Sequence, residues 1–214
     1  MKSPTSIIPP CHQNNVPGQV PSGQSSTSVK WKIGPALISI LTYSFAPLIL
    51  VFVVALLFLC VATRPHSEGQ EYDVFISFRG EDTRTNFTAH LSHAFDCNRI
   101  RVYKDYRDLP RGGEIESEIF NAIEKSRIAV VVLSKNYATS QWCLDELVKI
   151  MECKRRFNQT VIPVFYHVSP SVVREQKGNF VEKLPNGPID KVKKWRTALK
   201  EVAKLAGLHL KPDR

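Results

Sequence analysis

Glu146 is separated by one helical turn from Trp142 on one side and from Ile150 on the other, and Leu147 follows it directly. The stretch from Ser140 to Cys153 carries apolar residues at Cys143, Leu147, Ile150 and Met151, the i, i+4, i+7, i+8 spacing of one helical face. A lone carboxylate therefore stands at the edge of an apolar stripe. Such a setting penalises the charged form, raises the pKa and extends the electrostatic reach of the group, as a catalytic acid requires. The same spacing fits a boundary glutamate paired with Lys149 at i+3, and spacing alone leaves both readings open.

The elements that would position this residue alternate along the chain. Tyr72 to Ser77, Ile100 to Lys104, Arg127 to Leu133 and Thr160 to Phe165 read as strands. Asn86 to Cys97, Glu114 to Lys125, Ser140 to Cys153 and about Ile189 to Ala206 read as helices, with Gly207 placed to end the last. The third strand is a near-continuous apolar run, which predicts a central position in a sheet covered on both faces. Pro163 hints that the fourth strand is an edge or carries a bulge. This βαβα order predicts a doubly wound parallel sheet, whose ligands bind outside the carboxyl ends of the strands. That rim carries Phe78 to Asp82, the Asp105 to Gly113 loop and the Ser134 to Ser140 approach to the Glu146 helix.

Several classes of function find no support. There is no GxGxxG fingerprint and no GxxxxGK[ST] phosphate loop. A phospho-acceptor receiver domain needs acidic residues at the end of the first strand and an Asp after the third, where this chain has Ser77-Phe78-Arg79 and Ser134-Lys135. The five cysteines are scattered without a CxxC pair, which signals neither a disulfide framework nor a zinc site. A formal net charge of +9 admits nucleic acid as a partner, but clusters such as Lys154-Arg155-Arg156 lie at helix ends and faces where cations are expected, so nucleic-acid binding is a minor possibility.

Before the alternating region, residues 1–32 are rich in Pro, Ser, Gln and Asn and read as a disordered leader. Residues 33–63 contain no charge, and a bilayer crossing needs roughly 20 apolar residues, so this segment reads as a single transmembrane helix. Residues 64–70 form a linker and 71–214 the folded domain, placed on the cytosolic side of a single-pass membrane protein.

Several motifs occur together and in order: Tyr72-Asp73-Val74-Phe75-Ile76-Ser77-Phe78-Arg79-Gly80-Glu81-Asp82, Ser134-Lys135-Asn136-Tyr137-Ala138, Trp142-Cys143-Leu144-Asp145-Glu146-Leu147, and Ile162-Pro163-Val164-Phe165-Tyr166 followed by Ser169-Pro170-Ser171. Over about Glu71 to Gly207 the chain resembles the TIR (Toll/interleukin-1 receptor) domain of plant disease-resistance proteins. The resemblance implies a flavodoxin-like fold with a five-stranded parallel sheet and helices on both faces. It implies plant immune signalling through NAD(P)⁺ hydrolysis by a self-associated domain, with NAD⁺ or NADP⁺ as substrate and no prosthetic group or metal. By position the catalytic residue falls on Glu146, and nucleotide contacts fall on Phe78, Arg79, Gly80, Lys104 and Trp142. Self-association, homotypic or with other TIR domains, falls on Ser92, His93 and Gly178. The alternative function is a non-catalytic adaptor that acts only through TIR–TIR binding.

Overall fold

Alternate residues of each strand feed two separate cores, because successive side chains of a strand point to opposite faces. The computed structural model describes residues 69–103, 113–176, 179–182 and 184–211. Strands β1 (Tyr72–Phe78), β2 (Val102–Tyr103), β3 (Ser126–Leu133), β4 (Thr160–Tyr166) and β5 (Leu208–Leu210) form one five-stranded sheet in the order β2-β1-β3-β4-β5. All neighbours are parallel. The helical segments are α1 (Gly80–Thr83), α2 (Phe87–Cys97), α3 (Gly113–Glu124), α4 (Gln141–Phe157), α5 (Pro170–Glu175), α6 (Asn179–Glu182) and α7 (Ile189–Val202), with a 3-10 turn at Tyr137–Thr139 before α4.

On one face, Phe75, Ala129, Val131, Leu133, Val161 and Phe165 pack against α3, α4 and α7. On the other, Val74, Ile76, Phe78, Ile128, Val130 and Val132 pack against Leu91 and Phe95 of α2. Every residue of β3 is buried, as its continuous apolar run predicts for the central strand. The predicted strands and the four long helices are present, and the resemblance to a five-stranded parallel α/β fold holds.

Three expectations are corrected. A membrane-spanning helix was expected at 33–63, and with it a single-pass membrane location. Among the described residues no helix is long and apolar enough to cross a membrane, and residues 33–63, like the leader 1–32 and most of the linker, lie outside them. The longest described helix, α4, has 17 residues and carries Asp145, Glu146, Lys149, Glu152 and Lys154-Arg155-Arg156, against the roughly 20 apolar residues that a bilayer demands.

Second, β4 is not the edge of the sheet but the strand beside it, paired with β3 along its length and with the edge strand β5 only from Val164 onward. Pro163, opposite Val131 of β3, lies in the part of β4 that has no β5 partner, so the edge character it signals is local. Third, α7 stops at Val202 rather than near Ala206. Gly207 therefore serves the sheet: a Cβ there would meet the Pro163 carbonyl oxygen at 2.4 Å and Pro163 Cγ at 2.6 Å. Only glycine permits so close an approach just before β5 begins.

Candidate functional site

At the carboxyl end of β1 the sequence changes from apolar strand to Ser77-Phe78-Arg79-Gly80, and α4 starts its first turns against this corner. Ser140 caps α4, its hydroxyl accepting from Cys143 N at 3.4 Å, a role for which serine is well suited. The buried side of α4 is broader than one stripe, since Cys143, Leu144, Glu146, Leu147, Ile150, Met151 and Cys153 are all buried. Glu146 is thus inside the domain rather than at its boundary, with 1% of its surface exposed.

The i+3 pairing with Lys149 is not what the structure contains. Lys149 pairs with Glu124 of α3; burial opposes its charge, but the Glu124 carboxylate outweighs this and holds the ammonium pKa above its ordinary value. Glu146 instead accepts a hydrogen bond from Ser77 Oγ at 2.6 Å. Ser77 also lies 2.8 Å from the Tyr137 hydroxyl, which donates to the Cys143 carbonyl at 2.9 Å. Strand β1, the 3-10 turn and α4 therefore meet in one polar knot within an otherwise apolar layer. Burial pushes the Cys153 thiol, further along α4, up to about 11, so it is protonated and unreactive at neutral pH.

Arg79 leaves β1 and precedes α1. Its guanidinium forms an ion pair with Glu81 at 2.8 Å, and its Nε is buried without a hydrogen-bond partner. Gly80 lies under the Arg84 guanidinium, which a Cβ at Gly80 would approach to 2.9 Å. The next residues of this turn are anchored by Asp82, which accepts from Asn136 N at 2.8 Å and from Asn136 Nδ2 at 2.9 Å. Burial alone would raise the Asp82 pKa, but the Ser134 hydroxyl, the Asn136 donors and the Arg79 charge outweigh it and hold the carboxyl below its ordinary range. The turns after β1 and β3 are in this way tied into one rim.

Of the residues that the resemblance pointed to, Glu146, Arg79, Gly80 and Trp142 lie at this end of the sheet, with Trp142 partly buried against the core that α4 covers. Phe78 behaves differently. Its side chain is buried in the core beneath α2, on the opposite face of the sheet from the α4 core, so what it offers the rim is backbone; its carbonyl accepts from the Cys143 thiol at 3.5 Å. Ser92 and His93 are half-buried on α2, remote in the fold from α4. Lys104, most of the Asp105 to Gly113 loop, and Gly178 lie outside the described residues.

Sequence reasoning missed Ser77, Tyr137 and Asp82. A serine in the sixth position of an apolar strand was the available signal for the first, because a buried hydroxyl needs a partner. Among the described residues no group of three or more His, Cys, Asp or Glu side chains is placed to hold a metal ion. The two clefts beside α7, both lined by Val148, Glu152, Asp190 and Lys194, include none of Glu146, Arg79 and Trp142.

Comparison with known proteins gives a consistent picture. The family model described as TIR domain matches residues 71–212. The chain is 55% identical over 146 residues to disease resistance protein RPV1 of Vitis rotundifolia, an alignment spanning 67% of this chain and 10% of that protein. It is 48% identical over 153 residues to TMV resistance protein N of Nicotiana glutinosa, spanning 69% of this chain and 13% of that protein. The chain thus covers only about a tenth of the length of these curated relatives. Among solved structures, the TIR domains of the activated Roq1 resistosome directly recognizing the pathogen effector XopQ match at 48% identity and a TM-score of 0.57, covering 65% of this chain and 88% of that one.

Proposed function

This chain belongs to the TIR domain family and is similar to plant disease-resistance proteins, and from that premise we propose that it is an immune-signalling NAD(P)⁺ nucleosidase in which Glu146 carries the reaction. One observation supports this most: a carboxylate 1% exposed, held by the hydroxyl of Ser77 at the carboxyl end of β1, on the side of the sheet where folds of this kind bind their ligands.

The chemistry suits a single carboxylate. Cleaving the bond between nicotinamide and ribose expels a neutral pyridine, so the leaving group needs no proton, and positive charge builds on the sugar. Water then adds to the sugar carbon and releases one proton, giving nicotinamide and ADP-ribose. Hydrolysis of an ordinary glycoside also needs an acid for its alkoxide leaving group. Glu146 would stabilise the cationic sugar, Arg79 and Lys104 would hold the pyrophosphate, and Trp142 would stack on or shield a ring. Self-association through Ser92, His93 and Gly178 would switch the activity on.

A second reading, a non-catalytic adaptor acting by TIR–TIR binding, is favoured by the depth of Glu146, since a structural carboxylate would also be buried and hydrogen-bonded. The experiment that separates them uses the purified full chain at high concentration, with NAD⁺ or NADP⁺ added and nicotinamide measured by chromatography. Wild type should release nicotinamide, and Glu146→Gln should be slower by about 100-fold or more, the scale set by losing one group that stabilises transition-state charge. Equal background rates from the two proteins would refute the enzymatic reading, and retained self-association would then favour the adaptor.

A further inference from the structure

In the whole sequence only Asn186 is followed by glycine. Residues 184–188 lead into α7 without helix or strand, and Asn186 and Gly187 are both exposed. The stretch is held on either side of these two residues' reactive groups. Pro188 stands at the N-cap of α7 and its carbonyl accepts from Val192 N at 3.0 Å, while the Asn186 carbonyl accepts from Gln141 Nε2, at the start of α4, at 3.5 Å. Among the described residues, neither the Gly187 N–H nor the Asn186 side-chain amide has a hydrogen-bond partner.

Those are the two groups that must meet for an asparagine to lose its amide from within. The backbone nitrogen of the following residue has to reach the side-chain carbonyl carbon, and a hydrogen bond that holds either group opposes this. Glycine has no Cβ to crowd the approach and the widest backbone freedom. The other asparagines lack the combination. Asn86, Asn98 and Asn136 have their side chains engaged, by Phe87 N, by the Ala94 carbonyl and by Asp82 respectively, and each is followed by a residue that carries a side chain.

We propose that Asn186 is a site of spontaneous deamidation in the folded chain, where one neutral amide becomes a carboxylate as the protein ages. Base in the solvent takes the Gly187 N–H proton, and the nitrogen bonds to Asn186 Cγ. The Cγ–Nδ2 bond breaks, and the nitrogen leaves as ammonia with a proton from water, giving a five-membered cyclic imide. Water then opens the ring. Breaking the bond from Gly187 N to Cγ gives aspartate; breaking the bond to the backbone carbonyl carbon gives isoaspartate, whose main chain runs through Cγ. Overall, asparagine and water become the acid and ammonia, and nothing is oxidised or reduced. The change lowers a formal net charge of +9 by one. It does so just ahead of the positive end of α7, where negative charge is favourable, and beside the first residue of α4.

Gly187 can be replaced without crowding. A Cβ there would lie 3.6 Å from the Trp195 ring, an ordinary contact, and its φ is not left-handed. The test incubates the purified full chain in neutral and in mildly alkaline buffer, folded or unfolded in urea, and follows each asparagine by peptide mass spectrometry after digestion in acid. Isoaspartate is measured by enzymatic methylation. Asn186 should gain one mass unit ahead of every other asparagine, faster in alkali, with isoaspartate appearing at the same position. Asn186→Gln should lose the gain. Gly187→Ala should slow it by about 2–5-fold or more, the freedom that a Cβ removes from glycine expressed as a rate. Conversion of Asn186 no faster than that of Asn98 or Asn158 overturns the assignment, and so does a wild-type rate in Gly187→Ala. A rate in the folded chain about tenfold or more below that in urea also overturns it, since that is the scale of one protecting hydrogen bond. Should Gly187→Ala melt early, the comparison among asparagines in folded wild type decides.

Discussion

Replacing Asp82 by Asn tests how the rim that carries Arg79 is held. Asp82 accepts two hydrogen bonds from Asn136, at 2.8 Å from the backbone N and 2.9 Å from Nδ2. An asparagine can accept one of them, but its own NH₂ then faces the other donor. Hydrogen bonds to a charged acceptor contribute about 1.5–3 kcal/mol each. The group is only part-buried, so water replaces some of this and the net loss should be about 2 kcal/mol. For a chain of this size that corresponds to a fall in Tm of about 4–8 °C. The pH dependence supplies an independent check. Asp82 has a folded-state pKa below its unfolded value, so its contribution is fully present above an unfolded value of about 3.9 and is lost as pH falls through the folded value. Thermal melts followed by circular dichroism should show the gap between wild type and Asp82→Asn at pH 7 and its closure in acid. In the nicotinamide assay the variant should raise KM more than it lowers kcat, because it loosens the turn that presents Arg79 without touching Glu146. A Tm gap equally wide at both pH values would mean that shape, not charge, anchors the rim. No gap at all would mean that the tie has no energetic weight.

At the opposite end of the sheet, Asp73 accepts from Arg101 N and Nε and from the buried Arg127 at 3.0–3.2 Å, with burial raising its pKa and these donors together lowering it further. Asp73→Asn should cost about 3 kcal/mol at pH 7 by leaving Arg127 without its counter-charge, a loss read by urea denaturation that shrinks as pH falls below the ordinary carboxylate range. Gly207→Ala should cost about 1–3 kcal/mol, because the new Cβ would lie 2.4 Å from the Pro163 carbonyl oxygen. Hydrogen exchange should then rise at Leu208–Leu210 before it rises elsewhere, and unchanged protection there would show that β5 tolerates the methyl group.

Much of the scaffold was legible because it is governed by local periodicity. The run from Arg127 to Leu133 reads as a strand buried on both faces, and it forms all but the first residue of the central strand Ser126–Leu133. The apolar spacing of α2, α3, α4 and α7 gives each helix and its inner face. Where local pattern and neighbours compete, the neighbours decide. Three residues, Leu208–Leu210, carry too little pattern to be read as a strand, yet they become β5 because Val164, Phe165 and Tyr166 offer an edge for pairing. Pro163 argues for an edge, but it is accommodated in β4 because β5 begins one register position beyond it.

The candidate site divides in the same manner. From the sequence alone Glu146 belongs beside an apolar face and Arg79 at the carboxyl rim of a parallel sheet, because helical and strand periods decide which residues share a side; Trp142 joins them only through the family resemblance. Whether Glu146 would meet Lys149 on its own helix or a group from elsewhere lay beyond any local rule. Its partner Ser77 is 69 positions away, and Tyr137 is 60 positions from Ser77. Parallel pairing of β1 with β3 brings the ends of both strands under the first turns of α4. Contacts of that kind come from packing, and only the folded chain turns a boundary glutamate into a buried, hydroxyl-held carboxylate.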